Sequence, residues 1–330
     1  MRFFRVFWPT LIILGVLLSS FGSIPVAADT LTDAEALLQS MTPEEKVGQL
    51  FLVTFEGATV EEGSDIYKLI TDYHIGGVVL LAENDNFTSE DTLVQAQNLI
   101  ASLQQLEWDT TESASIGEGI NATEQPAYVP LFVGISQTGN GFPTDQILSG
   151  LTKTPSQMAI GATWNLDLAS QAGETLGHEL NALGFNLYLG PNLDVLEVSN
   201  SEAADYLGTE TFGGDPYWVG EMGKAFISGV HTGSEDQMLV VAQNFPGTGN
   251  SDRSPEEEVA TVRKSLDQLK QIELVPFFTV MGADESDPGR IDGVMVSHIR
   301  YQGFQGNIRA TTKPISFDST ALQQIMALDT

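Results

Sequence analysis

The chain has 330 residues, 42% of them hydrophobic, with 32 glycines and a formal net charge of −30. That length and apolar content exclude a disordered chain and suffice for one α/β barrel of roughly 250 residues. The acidity excludes nucleic acid and anionic membrane surfaces as partners, and the absence of cysteine excludes disulfides, a thiolate metal site and a cysteine nucleophile.

From the N-terminus, residues 1–28 read as an export signal. Arg2 and Arg5 form a positive start, Phe7 to Leu18 an apolar core, and Val26-Ala27-Ala28 a small-residue cleavage site. The alternative is an uncleaved anchor, but Pro9 and Gly15 break the apolar stretch, and a membrane span needs ~20 apolar residues. Cleavage predicts a secreted or cell-envelope protein with no stable membrane span and a single domain over residues 29–330.

Thr42-Pro43-Glu44-Glu45 is a capping box with proline at the first helical position. A strand is expected over 50–55, a helix over 64–73, and a short apolar strand over 75–81. A helix over 89–106 carries Leu93, Ala96, Leu99, Ile100 and Leu103 on one face. Residues 107–129 are acidic, rich in Gly, Ser, Thr and Ala and without periodicity, which predicts a surface insertion. Asn86-Phe87-Thr88 and Asn121-Ala122-Thr123 are formal glycosylation sequons, a tripeptide common by chance.

The alternation resumes with strand 131–135, helix 165–183, strand 185–189, helix 216–231, strand 238–242, helix 261–272 and strand 293–297. A last helix starts near Ser319. Short apolar strands alternating with amphipathic helices predict a parallel sheet with right-handed crossovers, a TIM-type (β/α) barrel truncated after about six units. A closed barrel needs eight strands, so two sheet edges are expected to be covered by a helix, an insertion or dimerisation.

The histidines are His74, His178, His231 and His298, and no two of them have zinc-like spacing, so neither a metal nor another cofactor is expected. His178 and His231 fall in helical stretches and read as helix-surface or helix-end residues. His298 ends the strand Gly293-Val-Met-Val-Ser297, where parallel α/β proteins place chemistry, so it is a site candidate beside an ordinary structural role. Asp194 also follows a strand, and either binds a polar ligand or caps its loop. No Gly-x-Ser-x-Gly, Walker loop or strand-borne Gly-x-Gly-x-x-Gly occurs. The segment Met238-Leu-Val-Val-Ala-Gln-Asn-Phe-Pro-Gly-Thr-Gly249 reads as a buried strand that hands two amides to a tight turn.

Taken in order, these segments resemble the N-terminal barrel domain of glycoside hydrolase family 3, the β-glucosidase and β-N-acetylglucosaminidase group. Met41-Thr-Pro-Glu-Glu-Lys-Val-Gly-Gln-Leu-Phe51 is similar to the family's opening helix and Ile75-Gly-Gly-Val78 to its second strand. Leu131-Phe-Val-Gly-Ile-Ser-Gln-Thr-Gly139 is similar to its Ile-Asp-Gln-Glu-Gly strand end, and Gly190-Pro-Asn-Leu-Asp-Val195 to Ala-Pro-Val-Leu-Asp-Val. Thr211-Phe-Gly-Gly-Asp-Pro216 resembles Arg-Ser-Phe-Gly-x-Asp-Pro, and Asn244-Phe-Pro-Gly-Thr-Gly249 resembles Lys-His-Phe-Pro-Gly-His-Gly. Glu273-Leu-Val-Pro-Phe277 and Val294-Met-Val-Ser-His298 complete a resemblance over about residues 35–325.

The resemblance implies a carbohydrate partner and a sugar site at Ser136, Asp194, Glu210, Gln243, Asn244, Thr248 and His298. At several of these the family's residue is replaced. Ser136 stands for a sugar-binding Asp, Glu210 for Arg, Gln243 and Asn244 for a Lys-His pair, and Thr248 for the second His. Losing four charge-assisted contacts at roughly 1.5–3 kcal/mol each weakens binding of the family's sugar by roughly 6–12 kcal/mol if they act independently. The acetylglucosaminidase branch places an Asp-x-His acid/base pair where this chain has Ser254 and Glu256, and its nucleophilic Asp belongs on a strand expected after Thr330.

Two readings result. The first is an exported glycoside hydrolase cleaving β-linked glucosyl or N-acetylglucosaminyl groups, with Glu256 or Asp252 as acid/base. The second is an inactive carbohydrate-binding or cell-envelope scaffolding member of the family.

Overall fold

The computed structural model describes residues 33–87, 90–115, 128–142, 144–197, 207–249, 251–255 and 258–328; the expected export signal over 1–28 and Glu256 lie outside them. In chain order the strands are β1 (Leu52–Val53), β2 (Gly77–Val79), β3 (Phe132–Ile135), β4 (Leu187–Asn192), β5 (Leu239–Phe245), β6 (Thr261–Val262), β7 (Gly293–Val296) and β8 (Arg300–Tyr301). The main packing helices are α1 (Pro43–Gly48), α2 (Asp65–Thr71), α3 (Thr92–Ser115), α4 (Leu166–Leu183), α5 (Pro216–Gly233), α6 (Leu266–Gln271), α7 (Leu274–Met281) and α8 (Ser319–Met326).

Six strands form one sheet in the order β1-β2-β3-β4-β5-β7, every neighbouring pair parallel. Sequential parallel order with helical crossovers is the topology of a β/α barrel, and the six expected units are all there. Among the described residues no strand continues the sheet beyond β1 or β7. Leu52 and Met295, on those two edges, are 48% and 40% exposed. The core is made by strand residues such as Val78, Val133, Ile135, Val240 and Ala242, all at 0% exposure, against Leu103, Leu180, Val230 and Phe277 from the helices.

Side-chain caps start the helices where the sequence placed them. Thr42 and Glu45 complete the capping box of α1, Asn165 caps α4, and Asp215 caps α5 ahead of Pro216. Behind β4 and β5 the helices α4 and α5 touch backbone to backbone. A Cβ on Gly173 or Gly177 would run into the carbonyls of Phe226 or Val230, and one on Gly229 or Gly233 into those of Ser170 or Glu174. These four glycines fix the separation of the helices, and with it the strands that carry the site.

Two expectations need correction. Residues 107–115 are not insertion but the continuation of α3 to Ser115. The apolar stripe fades there because the helix outruns the sheet, while Glu107 stays buried and Trp108 packs edge-on against Tyr128 at 4.8 Å; residues 116–127 lie outside the described set. The helix expected over 261–272 begins only at Leu266, behind a Ser265–Gln268 capping box. Before it, the buried residues Thr261 and Val262 pair with β8 in a separate two-stranded sheet. Asn86, in one of the formal sequons, is a buried structural amide, donating to Phe55 O at 2.9 Å and Gly57 O at 2.7 Å.

His231 lies in the last turn of α5, the helix end read from the sequence, but is 8% exposed, whereas His178 is exposed on its helix surface. The Nδ1 of His231 lies 2.7 Å from Pro288 O and its Nε2 3.0 Å from Asp292 Oδ2. Both partners are pure acceptors, so both ring nitrogens carry protons. Burial pushes this imidazolium toward losing its proton, but the Asp292 and Pro288 hydrogen bonds outweigh it and hold the pKa above 6.5. Burial likewise opposes the charge of Asp292, while bonds from His231 and Val240 N hold its carboxyl below 3.8.

The His231 contribution is therefore full below pH 6.5 and lost as pH rises through the raised value. That of Asp292 is full above pH 3.8 and lost as pH falls through the lowered value. His231→Gln is expected to lower the urea midpoint most near about pH 5 and least near about pH 9. An equal loss at both pH values would refute the imidazolium assignment.

Glu107 behaves in the opposite sense to an ordinary surface carboxylate. It is 4% exposed, its Oε2 finds no partner among the described atoms, and Glu45 of α1, 5% exposed, lies close enough to act on it. Burial first, and the Glu45 charge second, push its pKa from 4.5 to about 7. The folded state thus holds an extra proton between those values, and stability falls as pH rises across them, by up to about 3 kcal/mol. Glu107→Gln is expected to gain urea stability over the parent near about pH 8 and little near about pH 4; a constant difference would show that the carboxyl is not protonated on folding.

Candidate functional site

The C-terminal ends of β3, β4, β5 and β7 bring the sequence candidates to one face of the sheet, where a parallel α/β fold presents its loops. Strand β5 runs on to Phe245, so Gln243 and Asn244 are strand residues and not the start of a loop. Gln243 reaches across β4: its Nε2 donates to Leu189 O at 2.8 Å and to Ser136 Oγ, just past β3, at 3.1 Å. The Oε1 of Gln243 takes no hydrogen bond from any described residue, so this half-buried pair offers a ligand an amide oxygen and a hydroxyl proton.

The adjacent cluster is buried. Asp194, at 0% exposure, accepts from Asn244 Nδ2 at 2.7 Å, from Thr248 Oγ1 at 2.8 Å and from Thr248 N. Its own N–H donates to Asn192 Oδ1 at 2.8 Å, and Thr211 Oγ1 donates to its carbonyl at 2.6 Å. Asn244 holds φ +67°, a left-handed conformation that asparagine tolerates better than most residues. Burial raises the Asp194 pKa, opposed by the hydrogen bonds from Thr248, Asn244 and Asn192. Asp194 and Thr248, the latter 2% exposed, hold the segment after β4 to the end of β5 and the turn that follows it.

Glu210 stands next to Thr211, whose hydroxyl donates to Asp194 O, while His298 and Asp252 engage other partners. Glu210 is half-buried, and its charge, together with that of Asp145 and with burial as the largest cause, pushes the Tyr188 phenol far up. His298 is exposed, its Nδ1 2.8 Å from Ser316 Oγ and its ring edge-on to Phe317 at 5.0 Å, so it engages the turn before α8 rather than Gln243 or Asn244. Asp252 accepts from Thr261 N at 2.9 Å and pairs with Arg253 at 3.3 Å and Arg263 at 3.2 Å, so its oxygens are already engaged by β6 and two guanidinium groups. Among the described residues no group of three His, Cys, Asp or Glu side chains is placed to hold a metal.

Several structural partners of the site escaped sequence reasoning. Asp145 accepts the N–H groups of Thr138 at 2.7 Å, Gly139 at 2.9 Å and Gly141 at 2.6 Å, which closes the loop after β3 on itself. Buried Gln137 accepts from Gln146 N and Ile147 N, both at 3.0 Å, and returns a bond to Ile147 O. The Gly-Asn-Gly turn followed by an aspartate was the available signal for this loop. Glu273 stood in the Glu273-Leu-Val-Pro-Phe277 segment, but nothing in the sequence paired it with Lys264 behind the turn after β5.

Removing the Asp194 carboxylate strands three buried or half-buried donors. At about 1–3 kcal/mol per unsatisfied group, with partial relaxation, Asp194→Ala is expected to cost about 2–4 kcal/mol in urea denaturation. A loss under about 0.5 kcal/mol, the scale of an ordinary surface change, would show that the loop does not depend on it.

A model of the glycosyl hydrolase family 3 N-terminal domain matches residues 42–328. β-Hexosaminidase A of Pseudoalteromonas piscicida is 27% identical over 240 residues, covering 72% of this chain and 35% of that protein. The β-hexosaminidase of Thiobacillus denitrificans is 24% identical over 275 residues, covering 82% and 64%. The solved family 3 β-N-acetylglucosaminidase from Paenibacillus sp. str. FPU-7 superposes with a TM-score of 0.70 at 26% identity, over 87% of this chain and 47% of that one. The chain thus spans from about a third to less than two thirds of the length of these relatives. With the six parallel β/α units and the match over residues 42–328, the chain belongs to glycosyl hydrolase family 3, as an N-terminal domain.

Proposed function

We propose that this domain binds a terminal β-linked N-acetylglucosamine and serves an exported glycoside hydrolase of the β-N-acetylhexosaminidase type. The observation that carries the reading is the Ser136–Gln243 pair beside the pinned Asn244, set at the strand ends of a family 3 domain. The relatives named β-hexosaminidase and β-N-acetylglucosaminidase support N-acetylglucosamine over glucose as the sugar.

The side chains at this mouth suit an uncharged sugar. Amide and hydroxyl groups exchange hydrogen bonds with sugar hydroxyls and an acetamido group, whereas the carboxylates of Glu210 and Asp194 disfavour a sugar acid. Hydrolysis further requires two carboxyl groups flanking the glycosidic bond. In this reading Glu256, or Asp252 freed from its arginines, supplies the acid/base. The pattern of residues 1–28 supports export; an N-terminus at Asp29 in protein recovered outside the cytoplasm would agree with cleavage, and Met1 retained there would refute it.

Calorimetry with N-acetylglucosamine and hydrolysis of an aryl β-N-acetylglucosaminide test the proposal. Binding of the neutral sugar but not of a uronic acid is expected, and Gln243→Ala should weaken it about threefold to tenfold, the value of one hydrogen bond. Turnover identifies the enzyme. Binding without turnover assigns the 330 residues a sugar-holding role alone, and neither binding nor turnover overturns the reading.

A further inference from the structure

The end of β5 and the turn after it, which carry Asn244 and Thr248, are gripped from two sides, and only one grip belongs to the sugar-facing cluster. On the β4 side Asp194 holds them by hydrogen bonds. On the other side stands Glu273, at the α6–α7 junction and 0% exposed. A Cβ on Gly247 would lie 2.7 Å from Glu273 Cβ and 2.9 Å from its Cγ, so the turn rests directly on that side chain. Gly247 has φ +109°, a conformation that only glycine adopts without strain, and its N–H closes the turn onto Asn244 O at 2.5 Å.

Glu273 is an expensive prop. Its Oε1 pairs with Lys264 Nζ at 2.5 Å while its Oε2 is buried with no hydrogen-bond partner among the described residues. Lys264, whose side chain is 12% exposed, also reaches Glu197 Oε2 at 2.8 Å. Glu197 lies three residues beyond Asp194 on the segment that leaves β4. One ammonium thus joins the β4 segment to the prop beneath the β5 turn. Apolar side chains would fill such a space at lower electrostatic cost, so fold stability alone does not account for a buried ion pair here.

We propose that Lys264 is a positioning residue of the candidate site: by pairing with Glu273 and Glu197 it holds the Pro246–Gly247 turn against the β4 segment, and so sets where Asn244 and Gln243 meet the sugar. The sugar part of this statement rests on the proposed function. The positioning part does not.

The test uses the full chain and two variants. Lys264→Met/Glu273→Leu replaces the pair by apolar groups of similar volume, which preserves stability in comparable buried pairs. Glu197→Gln touches only the more exposed anchor, at 43% side-chain exposure, and keeps the fold in any case. Amide hydrogen exchange is followed over 244–249 and over α4 and α5, with the urea midpoint and the dissociation constant for N-acetylglucosamine.

For the double variant, exchange over 244–249 should accelerate about tenfold or more and sugar affinity fall about tenfold, with the urea midpoint and helix exchange near the parent's. Glu197→Gln should show the same pattern at about threefold. Unchanged exchange over 244–249 in every variant that folds overturns the proposal, as does acceleration spread equally over the helices. If the parent binds no N-acetylglucosamine, the functional reading fails while the exchange data still decide the positioning role.

Discussion

A carboxylate taken wholly out of water has to be given donors by the protein around it, and the site end of this sheet is organised by that requirement at Asp194. Its oxygens are met by Asn244 at the end of β5 and Thr248 on the turn after it, and its N–H is met by Asn192 at the end of β4. Neighbouring parallel strands are otherwise joined only by their ladder, which stops where the strands stop. The buried carboxylate extends the connection past the ladder into the loops. It also explains the left-handed Asn244: the backbone turns there because the side chain has to point back at the buried acid.

What sits behind the sheet supports the same two strands. The glycine seam between α4 and α5 brings those helices closer than any side chain would permit, and they are the crossovers that precede β4's end and β5 in the chain. A close helix pair leaves β4 and β5 little freedom to shift against each other, so the Gln243 bridge over β4 to Ser136 meets a fixed span. Packing far from the site and hydrogen bonding within it therefore act on one quantity, the relative placement of two strand ends.

Much of this was legible from residues in order. Apolar runs of four to seven residues marked the six parallel strands, and Thr42, Asn165 and Asp215 sat where helices were to begin. The failures have physical causes. Thr261 and Val262 are too short a run to declare themselves, and they become a strand only because Arg300 and Tyr301 arrive from far along the chain. The end of α3 lost its apolar period because it passes beyond the core, where a helix no longer needs one. Asp194 looked like a ligand-facing acid because it follows a strand end. Whether such an acid faces the solvent or the loop beside it depends on a neighbour fifty residues on, which no local pattern records. Lys264 and Glu273 are a lysine ahead of a helix and a glutamate at a helix junction, unremarkable until the fold brings them together under Gly247.

The distribution of charge across the site end gives these details a direction. The side chains offered to a ligand, Ser136 and Gln243, are neutral, while the full charges of Asp194, Lys264 and Glu273 are withdrawn behind the loop. Charges in such positions contribute little direct attraction to a sugar and a good deal of geometric constraint, because each must keep its partner or remain buried and unpaired. Neutral amides and hydroxyls, individually weaker, discriminate through placement, since a hydrogen bond to a sugar hydroxyl weakens steeply with a change of angle or of a few tenths of an ångström. A site that relies on such groups has more need of a rigid frame than one that reaches for its ligand with lysine or arginine. The clamped loop between β4 and β5 is a frame of that kind, so its buried charges and its neutral surface belong to one design.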